Sequence, residues 1–342
     1  MRAHFPALLL FAILLTACAP DRQYPIPPPK NEVPAHDLKG PVHTLHQTDS
    51  TTTDSLSPPR IVIREYTFNQ AGQLTEAVHE VPGEARNVRT FAFDSLHRRV
   101  EYRNTSSENN YQEKETSIYA DHGLVSERQL FNAEGELLER KTYSYTAEGK
   151  LEYLAQNIYT RREGQERKAM RIGVEYEYDV EGRLEWKRTD REGSPLMEER
   201  YEEGKLVETK KYGRDGDELR HRMRHSYTES SQSDSSFLPN GNLMFVETKE
   251  LDEQGNVIRV VSEGFEPDHY SEVIYTYNEH GDKASQKEIY HSDMGQDTIV
   301  PLEMATLIFA YRYDEQGNWI RRERTRLGMV DEVTVREITY WE

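Results

Sequence analysis

The chain has 342 residues, with 43 Lys and Arg against 61 Asp and Glu, and a net charge of −18 that repels phosphate backbones and argues against nucleic acid as a partner. Hydrophobic residues make up only 35% of it, yet it carries 21 Tyr, 10 Phe and 3 Trp, which points to a narrow aromatic core rather than a thick aliphatic one. A single cysteine rules out an intramolecular disulfide, so the body must fold on packing alone.

The first element is a signal. Arg2 precedes an apolar stretch from Ala7 to Leu15, and Leu15-Thr16-Ala17-Cys18 closes it. This is the layout of a bacterial lipoprotein signal peptide over residues 1–17, in which the Cys18 thiol receives the lipid and palmitate completes the anchor. The stretch is about half the roughly 20 apolar residues that a spanning helix needs. An ordinary secretory cut after Ala19 would leave Pro20 first, a poorly accepted position, so lipidation at Cys18 is the favoured reading. Two or three acyl chains hold a protein stably where one does not. The expected address is the bacterial cell envelope at the outer membrane.

Residues 18–36 read as a tether. Pro20, Pro25, Pro27, Pro28, Pro29 and Pro34 stiffen it into an extended spacer, at about 3.1 Å per residue. Residues 37–342 read as one β-repeat domain, with a short first strand around Val42 to His46 and a low-complexity loop from Gln47 to Pro59.

From Arg60 onward one pattern returns. Tyr66-Thr67-Phe68-Asn69-Gln70-Ala71-Gly72 recurs as Tyr143 to Gly149, Tyr176 to Gly182, Tyr275 to Gly281 and Tyr311 to Gly317. Aromatics two apart put both rings on one sheet face. The Asp or Asn folds back on the backbone to start a turn, and the glycine supplies a positive φ. Gly72, Gly149, Gly182, Gly281 and Gly317 are therefore structural turn residues. Reduced copies follow at Phe131 to Gly135, Tyr201 to Gly204, Tyr212 to Gly216, Asn240-Gly241 and Leu251 to Gly255. Polar stretches at Arg103 to Asn110, Thr228 to Ser235 and His291 to Gln296 read as loops at the other ends of the hairpins. No 3.6-residue apolar stripe appears after Pro20, so the body is all-β.

These residues resemble the YD repeats of the RHS family, Tyr-x-Tyr-Asp-x-x-Gly-Asn-Leu, over most of the chain from Arg60 to Glu342. Tyr311 to Asn318 matches the unit at every fixed position before its final leucine, which is Trp319 here. The opening Leu38 to His43 resembles that of small exported lipoproteins of Bacteroidota. Large family members coil such repeats into a β-shell around a toxin; this chain is short and lacks the protease core and toxin tip. The resemblance implies fold more than activity. The expected architecture is an elongated, twisted antiparallel meander of hairpins, single-layer or partly rolled, in which each hairpin touches mainly its sequence neighbours.

Chemistry is sparse. His43 and His46, or His221 and His225, have spacings that could ligate zinc on a helix, but on strands they read as surface histidines, and no metal or cofactor is expected. Asp215-Gly216-Asp217 reads as a turn rather than a calcium loop. There is no Gly-x-Ser-x-Gly elbow, phosphate-binding glycine loop or free cysteine nucleophile, so no catalytic residue is assigned. Asp54-Ser55-Leu56, Asp94-Ser95-Leu96 and Asp297-Thr298-Ile299 resemble Asp-Ser/Thr-aliphatic glycosylation sites, making Ser55, Ser95 and Thr298 candidate O-glycosylation positions. The expected function is a non-enzymatic, lipid-anchored envelope protein whose sheet is a scaffold or interaction surface. The alternative is a glycan-binding module using aromatics on the sheet face. The expected partners are the membrane, through the lipid, and an envelope protein or glycan.

Overall fold

The computed structural model describes residues 30–52, 57–108, 111–160, 168–264, 270–293, 299–303 and 306–342. Among them run twenty-three antiparallel strand segments from Val42 to Tyr340, each paired with its neighbour in the chain. Ile299–Glu303 and Leu307–Tyr313 both pair with Lys283–Asp293, so they form one interrupted stave of 22.

The meander closes. The first strand, Val42–Thr51, pairs on one side with Arg60–Phe68 and on the other with the last, Met329–Tyr340. Leu45 faces Ile338, His46 faces Glu337 and Thr48 faces Val335. Antiparallel strands alternate in direction, so the first and last can pair antiparallel only when the count of staves is even. The expected open or partly rolled sheet is therefore corrected to a barrel.

Two physical causes account for the difference. Each full repeat turn carries a register shift at its second aromatic, between Thr67 and Phe68, Ser144 and Tyr145, Glu177 and Tyr178, Thr276 and Tyr277, and Arg312 and Tyr313. A bulge at this position increases twist and bend, and here it recurs around the sheet. An open sheet would also leave two unpaired edges, which closure removes. Neither the bulges nor the end-to-end pairing is visible in a repeat unit read by itself.

One face of the strands is shielded and the other open. In Leu307–Tyr313, Leu307, Phe309, Tyr311 and Tyr313 are half-buried, while Ile308, Ala310 and Arg312 are exposed. A closed sheet crowds side chains on its concave side and splays them on its convex side, so the aromatic face is the lining. The loop expected from Thr228 to Ser235 is mostly strand, Ser231–Phe237. The first strand is ten residues long, twice the expected length.

The densest packing lies at the closure. Val33, Leu38, Val42, Leu45 and Phe68 form a buried cluster, with Tyr66, Leu74, Ile338 and Tyr340 against it. Val33 belongs to a short 3-10 turn, Val33–His36, whose His36 ring lies 4.4 Å from Tyr66 and 5.5 Å from Phe68. The end of the segment assigned to the tether thus packs on the barrel and covers its seam.

Candidate functional site at the repeat rim

Because strands alternate direction, every second turn falls on the same rim. All five full repeat turns share one rim, which is also where the N-terminal segment docks. Their local geometry follows from the sequence. Asn69 Oδ1 accepts hydrogen bonds from the backbone of Ala71 and Gln73, both 3.0 Å, while Gly72 N–H donates to Asn69 O at 2.9 Å. Asp314 Oδ1 does the same for Gln316 and Asn318 at 3.0 and 2.8 Å. The glycines have φ of +74° at Gly72, +84° at Gly149, +79° at Gly182, +84° at Gly281 and +76° at Gly317.

A sixth turn of this kind carries no glycine. Phe91-Ala92-Phe93-Asp94-Ser95-Leu96-His97 follows the repeat with His97 in the glycine place, at φ +59°. Asp94 Oδ1 accepts from Leu96 and Arg98 N–H, both 2.9 Å, and its Oδ2 pairs with Arg98. Burial would raise the Asp94 carboxyl, but the backbone and side chain of Arg98 and the backbone of Leu96 hold it below the usual carboxylate range. The aromatics two apart, followed by Asp, were the available signal. Histidine is among the residues enriched in the left-handed region. Ser95 is exposed at the tip of this turn. Cys18, Ser55 and Thr298 lie outside the described residues.

Two sets of contacts tie one repeat to the next. The tyrosine that ends the outgoing strand of a hairpin donates its hydroxyl to the backbone carbonyl at the start of an earlier return strand: Tyr119 to Arg99 at 2.9 Å, Tyr145 to Val125 at 2.8 Å, Tyr178 to Leu151 at 2.8 Å and Tyr277 to Val257 at 2.7 Å. Tyr311, the first aromatic of its pair, does likewise to Lys283 at 3.0 Å. Burial pushes the Tyr311 hydroxyl up to about 12. The residue after the glycine reaches the neighbouring turn. Gln73 donates to the His97 carbonyl at 2.8 Å, and Lys150 to the Gly182 carbonyl at 2.8 Å. Asn318 accepts from Lys39 N–H at 2.6 Å and donates to Lys39 O at 2.9 Å and to the Tyr340 hydroxyl at 2.8 Å. This last set fastens the Leu38 to His43 opening to the final repeat.

Beneath this rim, on the lining face, lies a cavity of about 590 Å³. Phe91, Phe93, Tyr119, Val125 and Tyr145 form its walls, with Arg99 and Arg128 among them and Lys30 and Glu32 from the docked N-terminal segment at its edge. Arg98 lies 4.3 Å over the Tyr119 ring and is paired with Asp94; Arg99 is paired with Glu115 at 2.9 Å. Arg128 is 5.9 Å from the Tyr143 ring, and its Nε is buried without a hydrogen-bond partner.

The histidines are drawn into local contacts. His43 stacks on Trp341 at 4.0 Å, His46 meets Glu65 at 3.1 Å, His221 meets Ser236 at 2.5 Å, and His225 meets Asp234 at 2.6 Å and Thr209 at 3.2 Å. No group of three His, Cys, Asp or Glu that could hold a metal occurs among the described residues. The turn around Asp215 and Asp217 is closed by Gly213 N–H to Glu218 O at 2.7 Å. Tyr201 to Gly204, read as a reduced repeat, is instead a two-residue turn with both Glu203 and Gly204 at positive φ, +51° and +76°.

Charge is spread over both faces in mid-strand. Lys187–Glu199 and Arg322–Glu332 pair on the lining face, where Arg99, at the start of its strand, also pairs with Glu115. Arg140–Glu127, Lys114–Glu101 and Arg259–Glu272 pair on the outer one. At the seam, Thr334 donates to Asp49 at 2.8 Å, Asp49 also pairs with Arg64, and Arg336 bonds Gln47 at 3.0 Å and covers the Trp319 ring at 3.3 Å.

No protein-family model matches the chain, and no curated protein matches it in sequence. Among solved structures it is similar to a porin-like protein from Bacteroides uniformis, at 10% identity over 87% of this chain and 96% of that one, with a TM-score of 0.33. It is also similar to TcdB2-TccC3-Cdc42 and to TcdB2-TccC3 without its hypervariable C-terminal region. Each shows 13% identity and a TM-score of 0.34, over 85% of this chain and 19% of the other. The chain thus spans about a fifth of the length of the TcdB2-TccC3 chains.

Proposed function

We propose that this protein is a non-enzymatic, lipid-anchored barrel of the bacterial cell envelope that stands in water beside its membrane and serves as a scaffold or interaction surface. The observation that carries this reading is the placement of ion pairs at mid-strand on both faces. A barrel that spans a bilayer needs an outward apolar band about 25 Å tall, and a mid-plane Arg or Lys facing lipid costs about 2 to 4 kcal/mol. Here Arg140, Lys114 and Arg259 occupy the outer face in their strands, beside their acidic partners. Membrane attachment then falls to Cys18, and the docking of residues 30–38 at the repeat rim fixes which end of the barrel faces the tether.

The spent side chains favour a structural role for the repeat itself. Tyr119, Tyr145, Tyr178, Tyr277 and Tyr311 use their hydroxyls on neighbouring backbone, so the repeated tyrosines tile the lining rather than wait for a sugar. Glycan binding, the second reading, is favoured only at the cavity, where Phe91 and Phe93 offer rings without hydroxyls to spend.

Fractionation tests the main reading. The wild-type protein should take up labelled palmitate and sediment with membranes through a carbonate wash. The Cys18→Ser variant should appear in the soluble fraction without detergent, with an unchanged β-sheet circular dichroism spectrum. Retention of Cys18→Ser in carbonate-washed membranes would contradict it and favour a barrel embedded in lipid.

A further inference from the structure

We infer that the cavity under the repeat rim is a binding site for a small organic anion: a ring-sized body carrying a carboxylate. The site does not depend on how the barrel is held at the membrane. Its walls are aromatic, with Phe91 and Phe93 from one strand and Tyr119 and Tyr145 from the next two hairpins. Both tyrosine hydroxyls are bonded to backbone, at 2.9 and 2.8 Å, so what they present to the space is ring surface. A volume of about 590 Å³ lies within the range of small-molecule sites.

The charge of the cavity runs against that of the molecule. In a chain of net charge −18, the cavity edge gathers cations. Arg98 and Arg99 are neutralised by Asp94 and Glu115. Arg128 and Lys30 have no carboxylate partner among the described residues, and the Arg128 Nε is buried and unbonded. Arg128 is half-buried, and its Nε, shielded from water, lacks an acceptor; a carboxylate, whose two oxygens match the guanidinium edge, is the group whose geometry supplies one. The aromatic walls take the remainder of the ligand: the C–H face of a sugar or an aromatic ring. Glu32, whose Oε2 accepts the Leu74 N–H at 2.9 Å, keeps its charge and offsets one of these two cations, so the lining carries a surplus of one positive charge.

Two sources supply this chemistry, an acidic saccharide and an aromatic acid, and calorimetry can separate them. The full chain carrying Cys18→Ser is titrated with trigalacturonate and with 2-naphthoate, and in parallel with their neutral counterparts, maltotriose and 2-naphthalenemethanol. At least one acid should bind with a Kd below about 1 mM, and at least tenfold more tightly than its neutral counterpart. Arg128→Gln should weaken that acid at least tenfold, Lys30→Ala several-fold, and both should leave the neutral compound unchanged. Lys30 is exposed on the docked segment, so its loss does not threaten the fold. Binding of trigalacturonate alone assigns the site to acidic sugars, and of 2-naphthoate alone to aromatic acids. If neither acid binds better than its neutral counterpart, or if Lys30→Ala and a folded Arg128→Gln bind as tightly as the parent, the inference is overturned.

Discussion

The two rims of this barrel are built from the same strands and obey different rules. At the repeat rim, most described turns are closed by glycine and commonly Asx-capped, with Glu203-Gly204 and Thr228 to Ser231 as exceptions; tyrosine hydroxyls lock five hairpins to an earlier one, and Gln73, Lys150 and Asn318 reach the next turn or the chain opening. At the opposite rim the turns are of several kinds. Asn132 to Glu136 repeats the five-residue form, while Glu192-Gly193 and Leu327-Gly328 are two-residue turns with both residues at positive φ. Leu327 and Met329 stand 76% and 69% exposed there. The difference teaches what the repeat specifies: one end of each hairpin and its coupling to its neighbours, leaving the other end free to vary.

Breaking the coupling at the repeat rim should have the largest effect. Asn318 is 1% exposed and holds Lys39 and Tyr340 by three hydrogen bonds. Asn318→Ala should lower stability by about 3 kcal/mol, read from urea unfolding, because it leaves buried partners unpaired at the closure. A loss below about 1 kcal/mol would show that the seam does not depend on this side chain. Gly182→Val should cost about 2 kcal/mol, through a β-branched residue at φ +79° and displacement of Lys150 from the Gly182 carbonyl. Gly83→Val at the opposite rim, at φ +83° in open space, should cost about 1 kcal/mol less. Equal losses would erase the distinction between the rims.

Tyr145→Phe removes one hydroxyl from the Val125 carbonyl and should cost about 1 kcal/mol with the fold unchanged. His97→Gly runs the other way. It relieves a side chain at φ +59° in the one turn of this form among the described residues that lacks its glycine, and should stabilise by about 0.5 kcal/mol. A destabilised His97→Gly would mean that the ring makes contacts beyond its turn. The smallest effect is alkaline. Burial raises the Tyr340 hydroxyl to about 12, with Asp314 adding to it, and burial raises Tyr311 to about 12. Folded pKa values above the usual 10 mean that the folded state holds these protons more tightly, so their stabilisation is complete below pH 10 and declines as pH rises toward 12. Thermal midpoints should therefore fall between pH 10 and 12, and less so in Tyr340→Phe.

Local structure was legible where a residue type has one job. The glycine after Asx-x-x and the aromatics two apart mark turn and face without further context, and Gly72, Gly182 and Gly317 occupy the conformations that this chemistry requires. Closure was not legible, because it depends on the register of Leu45 against Ile338, nearly three hundred residues apart, and on small bends that accumulate over the sheet. The cavity was hidden for a related reason. Phe91, Tyr119, Arg128 and Lys30 come together only through the curvature of four hairpins and the return of the N-terminal segment, and the turn that would have flagged Phe91 and Phe93 carries histidine in place of glycine. The docked segment was equally hard to see, since a proline-rich stretch reads as a spacer while Val33 sits 2% exposed in the core.

The central claim is that the first and last strands pair and seal the barrel, and a crosslink across that seam tests it most directly. His46 and Glu337 face each other in register with side chains on the outer face. In antiparallel pairs such Cα atoms lie about 4.5 to 5.5 Å apart, within reach of a disulfide. In a Cys18→Ser background, His46→Cys combined with Glu337→Cys should form an intramolecular disulfide under mild oxidation. The product should be a monomer that runs faster on a non-reducing gel and melts at a higher temperature. Free thiols, or only disulfide-linked dimers, in a folded protein would contradict closure and return the molecule to an open sheet.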